Sequence, residues 1–289
     1  MQTPAPVAYA RATSVDHALQ LLADAGPEAR FIAGGHSLPM MRLRLARPDC
    51  VVDINDLTDL DHIRVEGDDL VVGAMTRHRT LLESDLAHEH HPILRDAEQV
   101  VADPLVRNRG TVGGSLCQAD PGEDLSAVAS ALRAVVVLRG PDGERSVPAR
   151  DFVTGPYETT LDDVEILTAV RFPIRPGSGS AYTKVKRRAG DWAIAAAGAY
   201  VVLRDGAVDD VGIGLAAVGA PDSCAPEAEE DLRGKAPTED HLAAAAQVAA
   251  EHCKPAADQR GPVEYKRHVT GELTLRALRR AVGRAGGSA

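Results

Sequence analysis

Aromatic residues are scarce: three Phe, five Tyr and one Trp make up 3% of 289 residues. So few stacking platforms argue against single-stranded nucleic acid as a ligand, and leave Ala, Val and Leu to fill the core. Cysteine is thin as well. Cys50, Cys117, Cys224 and Cys253 are scattered, without a CxxC pair or the clustered run that an iron–sulfur centre needs. They read as reduced thiols filling core, and the chain is expected to hold no metal centre of its own. No run approaches the roughly 18 apolar residues of a membrane span. Met1-Gln2-Thr3-Pro4 lacks a basic stretch leading into an apolar one, so secretion is not expected and a cytoplasmic location is the default. Positive charge is outnumbered, with 32 Lys and Arg against 42 Asp and Glu and a net charge of -10. That balance opposes nucleic-acid binding over the whole surface. Basic patches at 42–47 and 184–188 survive locally, and read equally well as solvated faces.

The hydrophobic share of 44% is that of an ordinary globular chain, and the length suits two or three small domains. Ser14 followed by Val15, Ala18, Leu19 and Leu22, with Gly26 closing, predicts a capped amphipathic helix. Residues 30–33 and 51–54 read as short buried strands, and 63–72 as a hairpin about Gly67-Asp68-Asp69. A helix is expected over 93–101, stopped by Asp103-Pro104. Another is expected over about 122–132, followed by a strand at 134–138, a turn at 141–143 and a strand at 166–172. Residues 175–180 have linker composition. Beyond them, 193–203 and 211–218 read as strands and 241–251 and 263–281 as helices. Strands first and helices last within this part imply α+β rather than alternating units.

Two segments carry the chemistry. Ala33-Gly34-Gly35-His36-Ser37 leaves a strand directly, and Thr111-Val112-Gly113-Gly114-Ser115 repeats its character. A diphosphate is held best by converging backbone N–H groups, and Gly permits close approach and positive φ. Ser37, Thr111 and Ser115 add hydroxyl donors. Each loop alone reads more readily as a tight turn. Neither fits the G-x-G-x-x-G fingerprint or a P-loop. One extended ligand bridging two lobes explains the pair better. The cluster His88-Glu89-His90-His91 lacks the companion ligands of a metal site and reads as polar surface. Asp162-Asp163 and Glu229-Glu230-Asp231 read as exposed acidic loops, and no nucleophile elbow is present.

Residues 33–54, AGGHSLPMMRLRLARPDCVVDI, together with 111–125, TVGGSLCQADPGEDL, resemble the FAD-binding medium subunit of molybdenum hydroxylases. The likeness extends through 182–193 and Asp258-Gln259-Arg260-Gly261, and so over nearly the whole chain. It implies an α+β fold with a two-lobed FAD-binding domain of the CO dehydrogenase flavoprotein type. Lobes at 1–57 and 58–177 would be followed by a C-terminal α+β domain at 178–289, a three-stranded sheet with helices. It implies noncovalent FAD in the cleft, with Ile32, Ala33, Gly34, Gly35, His36, Ser37 and Leu38 around the pyrophosphate and ribose. Thr111, Gly113, Gly114 and Ser115 would meet the diphosphate from the other side. Asp120 and Asp124 would supply polar contacts, Asp124 to the ribose or adenine. Val101 and Ala102 would line the cofactor, Leu167 would touch the adenine or ring, and Lys184 or Lys186 would lie near the isoalloxazine. The family often has Ala-His where this chain has Cys117-Gln118, which changes the donors at that point.

The same resemblance implies electron transfer within a heterotrimer, assembled as a dimer of such units. A large molybdopterin subunit would oxidise the substrate. A small subunit with [2Fe–2S] clusters would pass electrons to the FAD, which hands them to NAD, a quinone or oxygen. Contact with a membrane surface would arise only through the acceptor, and no nucleic acid is involved. Gly-Gly-His-Ser also resembles oxidases that bond flavin covalently through that histidine, so a stand-alone oxidase with FAD on His36 is the competing reading. Its usual aromatic substrate pocket fits this aromatic-poor chain badly. A flavin-free scaffold joining the other subunits is the third.

Overall fold

The computed structural model describes residues 6–37, 48–219 and 223–286. Ser14 accepts the His17 N–H at 3.1 Å and opens α1 (Val15–Ala25), which buries Ala18, Leu19 and Leu22 as its periodicity predicts. This helix covers a parallel sheet of β1 (Ala8–Arg11), β2 (Ala29–Ile32) and β3 (Cys50–Asp53), with β3 central. The sheet and helix form the first lobe, around a core of its own that takes Met75 and Ile166 from the second lobe.

That second lobe begins with the hairpin of β4 (Ile63–Glu66) and β5 (Asp69–Gly73), turning at Gly67 with φ +60°. Short helices succeed it: α2 (His78–Glu83), α3 (Asp85–His90), α4 (Pro92–Glu98) and α5 (Pro104–Arg107). The helix expected to reach Val101 thus ends earlier. Asp103 opens the next helix: its carboxylate accepts the Val106 N–H at 3.0 Å, and Pro104 fills a first-turn position that needs no donor. The second glycine segment is not a loop, because Gly113 and Gly114 lie in the first turn of α6 (Val112–Gln118), capped by Thr111. Then come α7 (Asp124–Ala131), β6 (Val135–Gly140), β7 (Gly143–Pro148), α8 (Ala149–Phe152), the small pair β8 (Val153–Gly155) and β9 (Glu158–Thr159), and β10 (Ile166–Pro173). The five longer strands form one antiparallel sheet, ordered β4-β5-β10-β6-β7.

The third part is an antiparallel sheet of β11 (Ser178–Val185), β12 (Ala195–Arg204) and β13 (Ala207–Ala216), with α9 (Pro226–Leu232), α10 (Glu239–His252) and α11 (Val263–Arg284). Ser178, Gly179 and Ser180, expected in a linker, already belong to β11. The strands are apolar on both faces because both are covered. Ala195, Ala197, Ala199 and Val201 face the α10–α11 core, while Ala196 and Tyr200 join the core of the second lobe. A Cβ on Gly212 or Gly214 would overlap the carbonyls of Ala131 and Ala127, so glycine here lets β13 lie directly against α7.

Two polar groups sit deeper than their sequence suggests. His91, expected at the surface, is fully buried at a tilt to the Phe172 ring, 6.1 Å between centroids. Glu229, expected in an exposed acidic run, accepts from the Ile213 N–H at 2.8 Å and from Arg150 at 2.5 Å, with Arg133 at 3.4 Å. It ties α9 to α8 and to the end of α7.

Candidate functional site

The first glycine loop leaves β2 and rests on the segment that leads into α6. Gly35 has φ +75°, a conformation that favours glycine. At Gly34 the requirement is space, since a Cβ would overlap the Arg109 carbonyl and lie 2.8 Å from Gly110 Cα. Farther on, the Ser37 hydroxyl donates to Gln118 Oε1 at 2.5 Å, so the loop follows α6 from its beginning to its end. A polar strap holds this contact. Asn55 Nδ2 donates to the Ala33 carbonyl at 2.7 Å, Arg77 donates to Asn55 Oδ1 at 2.8 Å, and Arg77 also reaches the Arg109 carbonyl. Ile32 is fixed by its carbonyl, which accepts from the Ile54 N–H at 3.1 Å. His36 is exposed. Leu38 and the basic patch at 42–47 lie outside the described residues.

The two segments offer different donors. Among the described residues, the N–H groups of Gly34, Gly35 and His36 take no hydrogen bond. Those of the second segment are engaged: Val112 with the Thr76 carbonyl at 3.0 Å, Gly113 with Ala74 at 2.9 Å, Gly114 with Thr111 Oγ1 at 3.1 Å, and Ser115 with the Thr111 carbonyl at 3.0 Å. Gly113 is glycine for clearance, since a Cβ would lie 2.7 Å from that of Ala74. Ser115, one of the expected hydroxyl donors, is half-buried. That hydroxyl lies 3.1 Å from His78 Nε2, and His78 Nδ1 lies 3.0 Å from both carboxylate oxygens of Glu98. His78 is 2% exposed and Glu98 is fully buried. Burial pushes the His78 imidazole down, but the Glu98 charge and hydrogen bond, aided by Glu123 and Asp124, hold it above its ordinary value.

A second polar cluster joins the head of α7 to β11. Asp124, expected to reach the cofactor's ribose or adenine, is 5% exposed. Its oxygens accept from the Tyr182 hydroxyl at 2.8 Å and from Lys184 Nζ at 2.7 Å. Burial pushes its carboxyl up against the pull of Lys184, and burial raises the neighbouring Glu123 to about 7. Glu123 caps α7, accepting the Leu125 and Ser126 N–H groups at 2.6 and 2.7 Å. Lys184 and Lys186 converge on the Val100 carbonyl at 3.3 and 3.0 Å. The Lys184 side chain is only 2% exposed. Lys186 stays half-buried, its amine lowered by burial and by the Lys184 charge. Val101 and Ala102 sit beside this cluster, Ala102 with φ +43° and the Val101 carbonyl bound by Arg107 at 2.7 Å. Asp120 accepts the Gly122 N–H at 2.9 Å and the Tyr157 hydroxyl at 2.8 Å. Leu167, expected at the adenine or ring, is 3% exposed within the core of the second lobe.

Sequence reasoning missed Asn55, Arg77, His78, Glu98 and Tyr182, and noted Gln118 only as a change of donor. One signal was present: Glu98 falls on the apolar stripe of the helix that contains Ile93, Leu94 and Ala97, and a carboxylate there needs a partner. No disulfide joins the four cysteines, three of which are buried, and burial lifts Cys117 to about 12. No group of His, Cys, Asp or Glu able to hold a metal occurs among the described residues.

Three amides about a positive-φ glycine, without partners among the described residues, and the Ser115 hydroxyl on the helix that the loop follows suit a dinucleotide diphosphate. The donor set therefore fits FAD. Residues 5–175 match the family model for the FAD binding domain in molybdopterin dehydrogenase, and 180–281 that for the CO dehydrogenase flavoprotein C-terminal domain. The chain is 42% identical over 284 residues to the carbon monoxide dehydrogenase medium chain of Afipia carboxidovorans, covering 98% of this chain and 99% of that one. A carbon monoxide dehydrogenase structure from Hydrogenophaga pseudoflava, lacking the Mo-pyranopterin moiety of the molybdenum cofactor, superposes with TM-score 0.93 at 42% identity, over 98% and 99% of the two chains. Quinoline 2-oxidoreductase from Pseudomonas putida 86 gives 0.90 at 34% identity, over 99% of each chain. The chain belongs to the FAD-binding subunits of molybdenum hydroxylases, of the carbon monoxide dehydrogenase type.

Proposed function

We propose that this oxidoreductase subunit takes electrons from [2Fe–2S] clusters of a small partner subunit and delivers them to a terminal acceptor, while a large molybdopterin subunit oxidises the substrate. FAD, when bound, trades single electrons with such clusters and electron pairs with NAD, a quinone or oxygen. The chain's residues bind and orient it. Residues 1–57 and 58–177 are the two lobes of the cleft, and 178–289 is the domain beside it. The N–H groups of Gly34, Gly35 and His36 hold the diphosphate from the first lobe, and Ser115 answers from the second. Ile32, Ala33 and Ser37 keep that loop in place. Lys186 is the cation available to the flavin ring, because Lys184 is occupied by Asp124. Val101 and Ala102 border the same region, and Asp120 and Leu167 support it from behind. Three such chains of different kind make the working unit, doubled in the assembly. Its location is cytoplasmic, with any membrane contact made through the acceptor.

The observation that carries this reading is the apposition of the two glycine segments, one with unpaired amides and the other with a hydroxyl. The test is the flavin content of the purified chain. It should be yellow and release FAD into acid or denaturant, whereas flavin retained on the denatured protein favours the oxidase joined at His36. Gly35→Val places a β-branched residue at positive φ, and Gly114→Val puts a Cβ 2.8 Å from Thr111 Oγ1. Both variants should lose FAD while keeping their far-ultraviolet circular dichroism. Full flavin retention in both overturns the assignment.

A further inference from the structure

The chain Glu98–His78–Ser115 runs from the buried interior to the segment that faces the first glycine loop. A Cβ on Gly110 would lie 2.7 Å from His78 Cδ2, so backbone packs against the imidazole, and among the described residues its Nε2 reaches Ser115. We propose that this chain sets the direction of the Ser115 hydroxyl, making it a donor to the cofactor diphosphate when His78 is protonated and turning it away when His78 is neutral. The inference rests on the reading that FAD occupies this cleft.

The reason lies in the donor count of imidazole. Neutral His78 keeps its one N–H on Nδ1, toward the Glu98 carboxylate. Nε2 then accepts the Ser115 O–H, and Ser115 Oγ presents only lone pairs to an anion. Imidazolium donates from both nitrogens. Nε2–H then occupies a Ser115 lone pair, which frees the hydroxyl hydrogen to point at a phosphate oxygen. The charge is held inside the protein, yet its effect reaches the ligand along two hydrogen bonds. In hydrolases the same order of groups activates a serine nucleophile, but that requires a neutral imidazole able to take a proton. Here the surroundings favour the charged form.

Glu98 on α4 bears directly on His78, and Glu123 and Asp124 at the head of α7 act on it from farther away. The nearby cations are turned elsewhere. Arg77 points to Asn55 and the Arg109 carbonyl, Arg95 to Asp85, and Arg107 to the Val101 carbonyl. The Glu98 charge and hydrogen bond outweigh burial, so His78 keeps its proton to higher pH than an ordinary imidazole does. Binding and protonation are reciprocal, so the diphosphate should raise the imidazole further.

The experiment is an FAD titration of the deflavinated full chain, followed by quenching of flavin fluorescence from about pH 6 to about pH 9. Wild-type affinity should be flat at low pH and fall roughly ten- to a hundredfold across the alkaline limb, the range of one hydrogen bond to a charged group. Ser115→Ala should bind as weakly as the alkaline wild type and show no such limb. Glu98→Gln should move the limb to lower pH. If that variant does not fold, the serine variant still decides. A pH profile in Ser115→Ala that matches the wild type overturns the proposal and leaves the cleft assignment intact. A wild-type chain that binds no FAD at any pH overturns the cleft assignment as well.

Discussion

His91 has both ring nitrogens buried without a partner among the described residues, and burial lowers its imidazole to about 4. In the unfolded chain it titrates near 6.5. Between these values the unfolded state binds the extra proton, so the His91 contribution erodes as pH falls from about 6.5 to about 4, by up to about 3 kcal/mol. Glu123 slopes the other way, because its raised carboxyl favours the folded state below about 7. Urea unfolding of His91→Leu beside the wild type cancels the Glu123 share. The variant should gain on the wild type steadily as the medium is acidified, and parallel curves would remove His91 as the cause. The pair Lys184–Asp124 is another buried commitment, with side chains 2% and 5% exposed. Asp124→Ala strands an ammonium in the interior and should cost about 3–5 kcal/mol in a denaturant titration. Asp124→Leu combined with Lys184→Met should recover much of that loss.

Among the elements, α7 is packed from two directions. Its buried face belongs to the second lobe, and the Gly212 and Gly214 side of β13 lies against its Ala131 and Ala127 carbonyls. Gly214→Ala must push strand from helix. It should destabilise by about 1–3 kcal/mol, measured as a lowered denaturant midpoint at unchanged slope. Elements of this kind were legible where the local signal is strong. The α1 stripe followed from apolar spacing, the hairpin from its turn at Gly67-Asp68-Asp69, and β12 from an unbroken apolar run. The failures have local causes. β1 presents mostly exposed residues in Ala-Tyr-Ala-Arg and carries no alternation to read. α6 hides behind Gly113-Gly114, which oppose helix by propensity but are glycine here for clearance from Ala74 and Thr111. Asp103-Pro104 is the same pair of residues whether it ends one helix or begins another.

For the whole molecule, FAD bridging the first two lobes should act as a stabiliser, since the unfolded chain has no cleft. At a hundredfold excess over its dissociation constant it should add about 2.7 kcal/mol, visible as a raised Tm in calorimetry. An unchanged Tm under saturating FAD would remove the bridging geometry. The glycine pairs and the family resemblance marked two segments as partners, and the structure lays Gly34 against the Arg109-Gly110 backbone that leads into the second. The wiring was not legible, because Ser37 meets Gln118, Asn55 meets Arg77, and Asp124 meets Lys184 across long stretches of chain. Spacing along a sequence carries no information about such pairings, and only Glu98 on its apolar stripe announced a missing partner.

The cores are shared unequally. The sheet of the third part sends Tyr182, Ala196, Tyr200 and Ala216 into the core of the second lobe, so these two form one body. The first lobe keeps a separate core that borrows only a few residues, and the strap of Asn55, Arg77, Ser37 and Gln118 fastens it. We expect a cofactor clasped between them to leave by parting the first lobe from that body, and Asn55→Ala, which removes the strap's bonds to Ala33 and Arg77, to hasten flavin release on dilution.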